Sequence, residues 1–129
     1  MMTKNIQNWL DSAQYDMETA EYMFGSGRYI YTVFMCHLAL EKALKAKLEE
    51  ITCKTPPKTH DLEYLLELAK LLPDSEMESF ISELSNLSIV TRYPSDFQKL
   101  LKDFSRERVE VIMIKSQEAY KWIRKSIAL

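Results

Sequence analysis

The sequence predicts an all-α fold, a bundle of four long helices plus short ones, and three observations carry that prediction. Apolar residues recur at helical spacing through four long stretches. No stretch alternates polar and apolar residues as a half-buried strand would. Glycine and proline are scarce, at 2 and 4 of 129 residues, too few for a turn-rich sandwich or barrel. The length suits one domain over residues 1–129, with no repeat of 20–50 residues.

The first helix runs from Thr3 or Asn5 to Phe24. Ile6, Trp9, Leu10, Ala13, Met17, Ala20 and Phe24 form its apolar stripe, with Asp11, Asp16, Glu18 and Glu21 toward solvent. Gly25-Ser26-Gly27 ends it, and so short a connection returns the next helix antiparallel. That second helix, Arg28 to Glu50, is the central one. Ile30, Val33, Phe34, Leu38, Leu40, Leu44 and Leu48 share one broad face, and His37 and Glu41 fall in its middle. The other side carries Met35, Cys36, Ala39, Ala43 and Ala46, which leaves only Lys42, Lys45 and Lys47 for solvent. A helix apolar nearly all round is buried by neighbours on several sides.

Thr52 to Lys58, with Pro56-Pro57, stops the central helix in an extended strut. Thr59-His60-Asp61-Leu62 opens a third helix, with Thr59 or Asp61 as N-cap and a stripe of Leu62, Leu65, Leu66, Ala69 and Leu72 before Pro73. Glu76 to Val90 is a fourth, with Met77, Phe80, Ile81, Leu84 and Leu87 inward. Thr91 to Asp96 reads as a loop, because Pro94 pushes residue 93 out of the helical region. Phe97 to Phe104 is ambiguous in pattern and could be a short helix of its own. A last helix spans about Ser105 to Ala128, with Val109, Ile112, Met113, Ala119, Ile123 and Ile127 inward. Tyr15, Tyr22, Tyr29 and Tyr31 cluster around the first turn, as core or interface.

Composition narrows the function classes. The formal net charge is −2, without the basic excess of a general nucleic-acid binder. No window approaches the ~20 apolar residues of a membrane span. The N-terminus has no apolar signal-peptide core, and Cys36 and Cys53 lack metal-ligand spacing, so a cytoplasmic protein with reduced thiols is expected. A phosphate loop, Cys-x-x-Cys, His-Glu-x-x-His and a nucleophile elbow are all absent from the sequence.

Three groups of residues could carry chemistry. Glu41 sits on a packed face, where a carboxylate needs a partner, and Lys45 and His37 each lie one turn away. It is either a half-buried glutamate tied to Lys45 or part of a polar cleft built with other helices. His37-x-x-x-Glu41 could offer two metal ligands, but no second Glu-x-x-His supplies the rest, so no metal or other cofactor is expected. His60 and Asp61, at a helix start, form either a plain cap or an anion site aided by Lys58. Arg92 offers a planar donor fork suited to phosphate, and Tyr93 an aromatic face on which a base could stack.

Four local sequences, Ala13-Gln-Tyr-Asp16, Ala39-Leu-Glu-Lys-Ala-Leu-Lys-Ala46, Thr59-His-Asp-Leu62 and Thr91-Arg-Tyr-Pro94, occur in the order in which they stand in a known family. With them the chain resembles the HEPN domain (higher eukaryotes and prokaryotes nucleotide-binding) along nearly its whole length. The resemblance implies an up-and-down four- to five-helix bundle and a small prokaryotic protein. It also implies a homodimer, often paired with a minimal nucleotidyltransferase in a toxin–antitoxin-like system. Glu41, Lys45, His60, Asp61, Arg92 and Tyr93 match the motifs by position, and the resemblance implies a nucleotide-binding cleft for them, with His37 and Lys58 as weaker candidates. Many members are metal-independent ribonucleases with an Arg followed four to six residues later by a His. After Arg92 those positions hold Asp96, Phe97 and Gln98. RNA cleavage by acid–base transfer calls for a group such as histidine, so the sequence favours a binding module over an enzyme. Two alternatives stand: a ribonuclease with a non-standard acid–base set such as His60 or Tyr93, and a structural, dimerising protein. For the latter, the small face of Met35, Ala39, Ala43 and Ala46 allows close helix approach, inside the bundle or across a two-fold axis.

Overall fold

Six helices make up the computed structural model, which describes residues 3–128: α1 (Lys4–Gly25), α2 (Tyr29–Thr52), α3 (Leu62–Leu68), α4 (Ser75–Arg92), α5 (Phe97–Asp103) and α6 (Arg106–Lys125). No strand occurs among the described residues. α1, α2, α4 and α6 are the long members, and α2 lies at the centre, touching all five others. Its small residues are used inside the bundle. Ala39, Ala43 and Ala46 are fully buried, the first two in the main core with Ala13 and Met17, the third with Ile6, Leu10 and Ile127.

Five helix starts carry side-chain caps, each accepting a backbone N–H of the first turn: Thr3 from Ile6, Asp61 from Tyr64, Asp74 from Met77, Asp96 from Lys99 and Ser105 from Arg108. Gly27, at φ 78, makes the tight return between α1 and α2. At its far end α6 is clipped to α2, because Lys47 donates to the Ser126 carbonyl at 2.7 Å and Glu50 accepts from the Ala128 N–H at 2.7 Å.

Several sequence expectations need correction. α3 ends at Leu68, so Leu72 is not part of its stripe and is 92% exposed. The cause is a left-handed Lys70 (φ 57): its N–H reaches the Glu67 carbonyl and that of Leu71 the Leu66 carbonyl, closing the helix and turning Leu71 onto the core. α4 runs on through Thr91 and Arg92, so these two are helical and the break falls at Tyr93, next to Pro94. Asp16 is buried, not solvated, because Lys42 reaches across from α2 to pair with it at 2.7 Å. Lys45 is buried too, beside Glu41 and under the Trp9 ring at 5.7 Å. Of the four tyrosines around the first turn, Tyr15, Tyr22 and Tyr31 are exposed, and Tyr29 packs, 5.6 Å from Phe24.

The seam of alanines sets how closely α1 and α2 approach. Ala43→Leu is expected to overpack it and cost about 1–3 kcal/mol, whereas Leu72→Ala should stay within about 0.5 kcal/mol of the parent. Urea denaturation of the two variants checks both.

Candidate functional site

Helical spacing puts His37, Glu41 and Lys45 one above another on α2, facing the segment that leads into α3. Glu41 is 4% exposed and both of its carboxylate oxygens are engaged. Oε2 accepts from Lys45 Nζ at 3.0 Å, and Oε1 accepts from His60 Nδ1 at 2.9 Å. His37 Nδ1 stands 3.8 Å from the same Oε1. In a neutral His60 ring this contact places the proton on Nδ1 and leaves Nε2 as the other ring nitrogen. The His60 side chain is 62% exposed and forms the outer end of this row.

His37 is its inner end. The ring is wholly enclosed, and the polar groups beside it are the Glu41 carboxylate and the His60 backbone. Burial pushes its pKa down to about 4, the Arg92 guanidinium adds to that, and the Glu41 carboxylate opposes it. His37 is thus neutral near pH 7. Cys36, its neighbour, is also buried, and burial pushes its thiol up to about 12.

Arg92 enters from α4. Its guanidinium carbon lies 4.7 Å from the centroid of the Phe34 ring on α2, which supports one face of the cation. Nε and Nη2 are enclosed, without a hydrogen-bond partner among the described residues. Arg92 and His60 line a common cleft of about 310 Å³ with Asp61, Ser85, Ser88 and Tyr93. Ser85 had no signal in the sequence beyond a small polar residue on an apolar helix. It accepts the Leu62 N–H at 3.2 Å and so ties the start of α3 to α4, bringing His60 to the Arg92 side.

The candidate residues thus fall into two linked groups. Glu41, Lys45, His60 and His37 form the buried row, and His60, Asp61, Arg92 and Tyr93 share the cleft. No ion pair joins Glu41 to Arg92 among the described residues; His60 stands between the two groups. Asp61 is occupied as the cap of a seven-residue helix, and its carboxylate stands where an anion at that terminus would sit. Glu63, also in the cleft wall, accepts from Ser82 at 2.9 Å. Lys58 stays exposed on the strut and does not line the cleft. No group of three or more His, Cys, Asp or Glu is arranged to hold a metal ion among the described residues, and no described helix is long and apolar enough to cross a membrane.

Comparison with known proteins agrees with this architecture. The sequence model of the HEPN domain matches residues 6–126. The crystal structure of TT1696 from Thermus thermophilus superposes with a TM-score of 0.78 at 21% identity, covering 97% of this chain and 100% of that one. That of ST0689, an archaeal HEPN homologue, gives 0.78 at 20% identity, covering 98% and 100%. No curated protein matches the chain in sequence.

The neutral, enclosed His37 makes stability depend on pH. Its folded pKa of about 4 lies below the ordinary value of 6.5. The unfolded chain therefore binds this proton first as pH falls. The stability that His37 lends by staying neutral is complete above pH 6.5, erodes between 6.5 and 4, and by linkage is down by about 3 kcal/mol below that range. Urea midpoints at pH 7 and pH 4.5 should draw closer together in His37→Leu than in the parent, since only the parent carries this titration.

Proposed function

The chain belongs to the HEPN domain family, and from that premise we propose that it is a non-catalytic module whose cleft binds a phosphate-bearing ligand of the nucleotide type. The observation that carries this reading is Arg92. Two of its N–H-bearing nitrogens are enclosed and unpartnered, and such donors cost free energy until an acceptor meets them. A phosphate oxygen suits the planar fork better than any neutral acceptor. His60, Ser85 and Ser88 line the same cleft, and Tyr93, 79% exposed, offers a face for a base. Glu41 and Lys45 lie behind and orient His60.

The module works in the cytoplasm with a minimal nucleotidyltransferase, as a small prokaryotic two-component, toxin–antitoxin-like pair. This half of the reading rests on the family resemblance. Co-expression with a small nucleotidyltransferase encoded beside it, followed by co-purification of the two chains, tests it. A second reading, a homodimer, draws on a different observation. Ile89, Val90, Tyr93, Phe97 and Leu101 are exposed along α4 and α5, an apolar presence of the kind that marks interfaces.

Titration calorimetry with ATP, GTP, ADP and AMP should show binding to at least one of them. Arg92→Ala should weaken it by tenfold or more, the loss of one charge-assisted contact of about 1.5–3 kcal/mol. No heat with any nucleotide up to millimolar concentration would remove the ligand reading. Light scattering should give twice the chain mass for the dimer, and a clean monomer at micromolar concentration would count against it.

A further inference from the structure

The chain has two histidines, and the fold treats them in opposite ways. His37 is sealed in the core, whereas His60 keeps its ring largely open at the edge of the Arg92 cleft. The contact of His60 Nδ1 with the buried Glu41 carboxylate, at 2.9 Å, does two things. In the neutral ring it holds the proton on Nδ1, so that the Nε2 lone pair is free, and it fixes the ring against α2. Glu41 is itself held from the other side by Lys45 at 3.0 Å, so the carboxylate cannot swing away. A carboxylate behind an imidazole also stabilises positive charge that develops on the ring. Those are the requirements of a nucleophilic histidine: a defined tautomer, an exposed nitrogen and a counter-charge in place beforehand.

We propose that His60 is a phosphoryl-acceptor site. A small phosphoryl donor lies in the cleft with its anionic oxygens on Arg92, a placement that rests on the phosphate-binding reading above. The Nε2 lone pair attacks phosphorus and the N–P bond forms. The bond from phosphorus to the leaving group breaks, and the leaving group departs with that electron pair. The ring keeps its Nδ1 proton and becomes cationic, and Glu41 balances the charge. In the neutral ring with its proton on Nδ1, the attacking nitrogen carries no proton, so none need be removed before attack. The donor is a species with a good leaving group on phosphorus, such as an acyl phosphate, a phosphoramidate or a nucleoside triphosphate. Tyr93 and the serines of the cleft lack such a buried base in contact with them, so the histidine is the nucleophile that the cleft prepares.

Phosphoramidate is the simplest probe, since it transfers a phosphoryl group to reactive imidazoles and leaves as ammonia. The native chain should take up one acid-labile phosphoryl group, located by mass spectrometry at His60 and by phosphorus NMR at Nε2. The reaction should run at least about tenfold faster in the native chain than in the same chain in urea, and about tenfold faster than in Glu41→Gln. His60→Asn should take up none. Equal rates in native and unfolded chains would overturn the proposal, as would attachment at Nδ1 or label on any other residue. The native-against-urea comparison stands even if Glu41→Gln does not fold. Arg92→Ala separates the two readings. A native acceleration that survives Arg92→Ala leaves His60 as the acceptor and rejects Arg92 as the phosphate holder. No native acceleration, alongside Arg92-dependent nucleotide binding, rejects His60 as the acceptor and keeps the cleft.

Discussion

The buried Glu41 carboxylate is the constraint on which the rest of the site depends. A charge taken out of water is tolerated only when its lone pairs are met, and breaking such a set leaves the others exposed to the same penalty. Lys45 meets one oxygen from the same helix. The other is met by His60, nineteen positions along the chain and beyond the Pro56-Pro57 strut. The contact therefore does more than neutralise a charge. It fixes where the strut must deliver the start of α3, and with Ser85 holding the Leu62 N–H from α4 it sets how α3 lies between its neighbours. The polar contacts specify a register that the leucines of α3 could satisfy in more than one way.

Two scales of packing meet around that carboxylate. On the α1 side of α2, alanines bring the backbones close, and the polar groups there, Asp16 with Lys42, lie at the border of the seam. On the α3–α4 side α2 presents His37 and Glu41, both buried, and the cleft lies beyond them, between the start of α3 and α4. One helix thus has a face of small residues and a face with polar groups buried in it, which is why its sequence is apolar nearly all round yet interrupted by His37, Glu41 and Lys45.

Much of this was legible in the sequence, for reasons that can be named. Helix positions follow from apolar spacing, and of the two cap candidates at the third helix, Thr59 and Asp61, the structure uses Asp61. Glu41 stood out because a carboxylate on an apolar face needs an explanation. What could not be read was the third dimension of each polar group. Lys45 and Asp16 look solvent-facing by type, and only their partners across the bundle or one turn away make burial tolerable. Lys70 adopts a conformation usually given to glycine, so the early end of α3 carried no composition signal. The Glu41–His60 contact joins two of the sequence motifs, but spacing along a chain does not encode an encounter across a proline strut.

The distribution of unmet polar atoms gives the site its direction. His37 is neutral by virtue of burial and adds no charge. Glu41 is shared between Lys45 and His60 and has no oxygen left for Arg92. Of the acidic groups at the cleft, Asp61 is committed to the α3 cap and Glu63 to Ser82. Arg92 is left with a cation supported by the Phe34 ring, which offsets part of its desolvation but accepts no hydrogen bond at Nε or Nη2 in the plane of the guanidinium. Enclosed donors without a partner are rare in packed domains, and each calls for an explanation such as an ordered water, an ion or a ligand. An anionic acceptor small enough for about 310 Å³ would meet these donors, and that is what supports the phosphate reading proposed for the cleft.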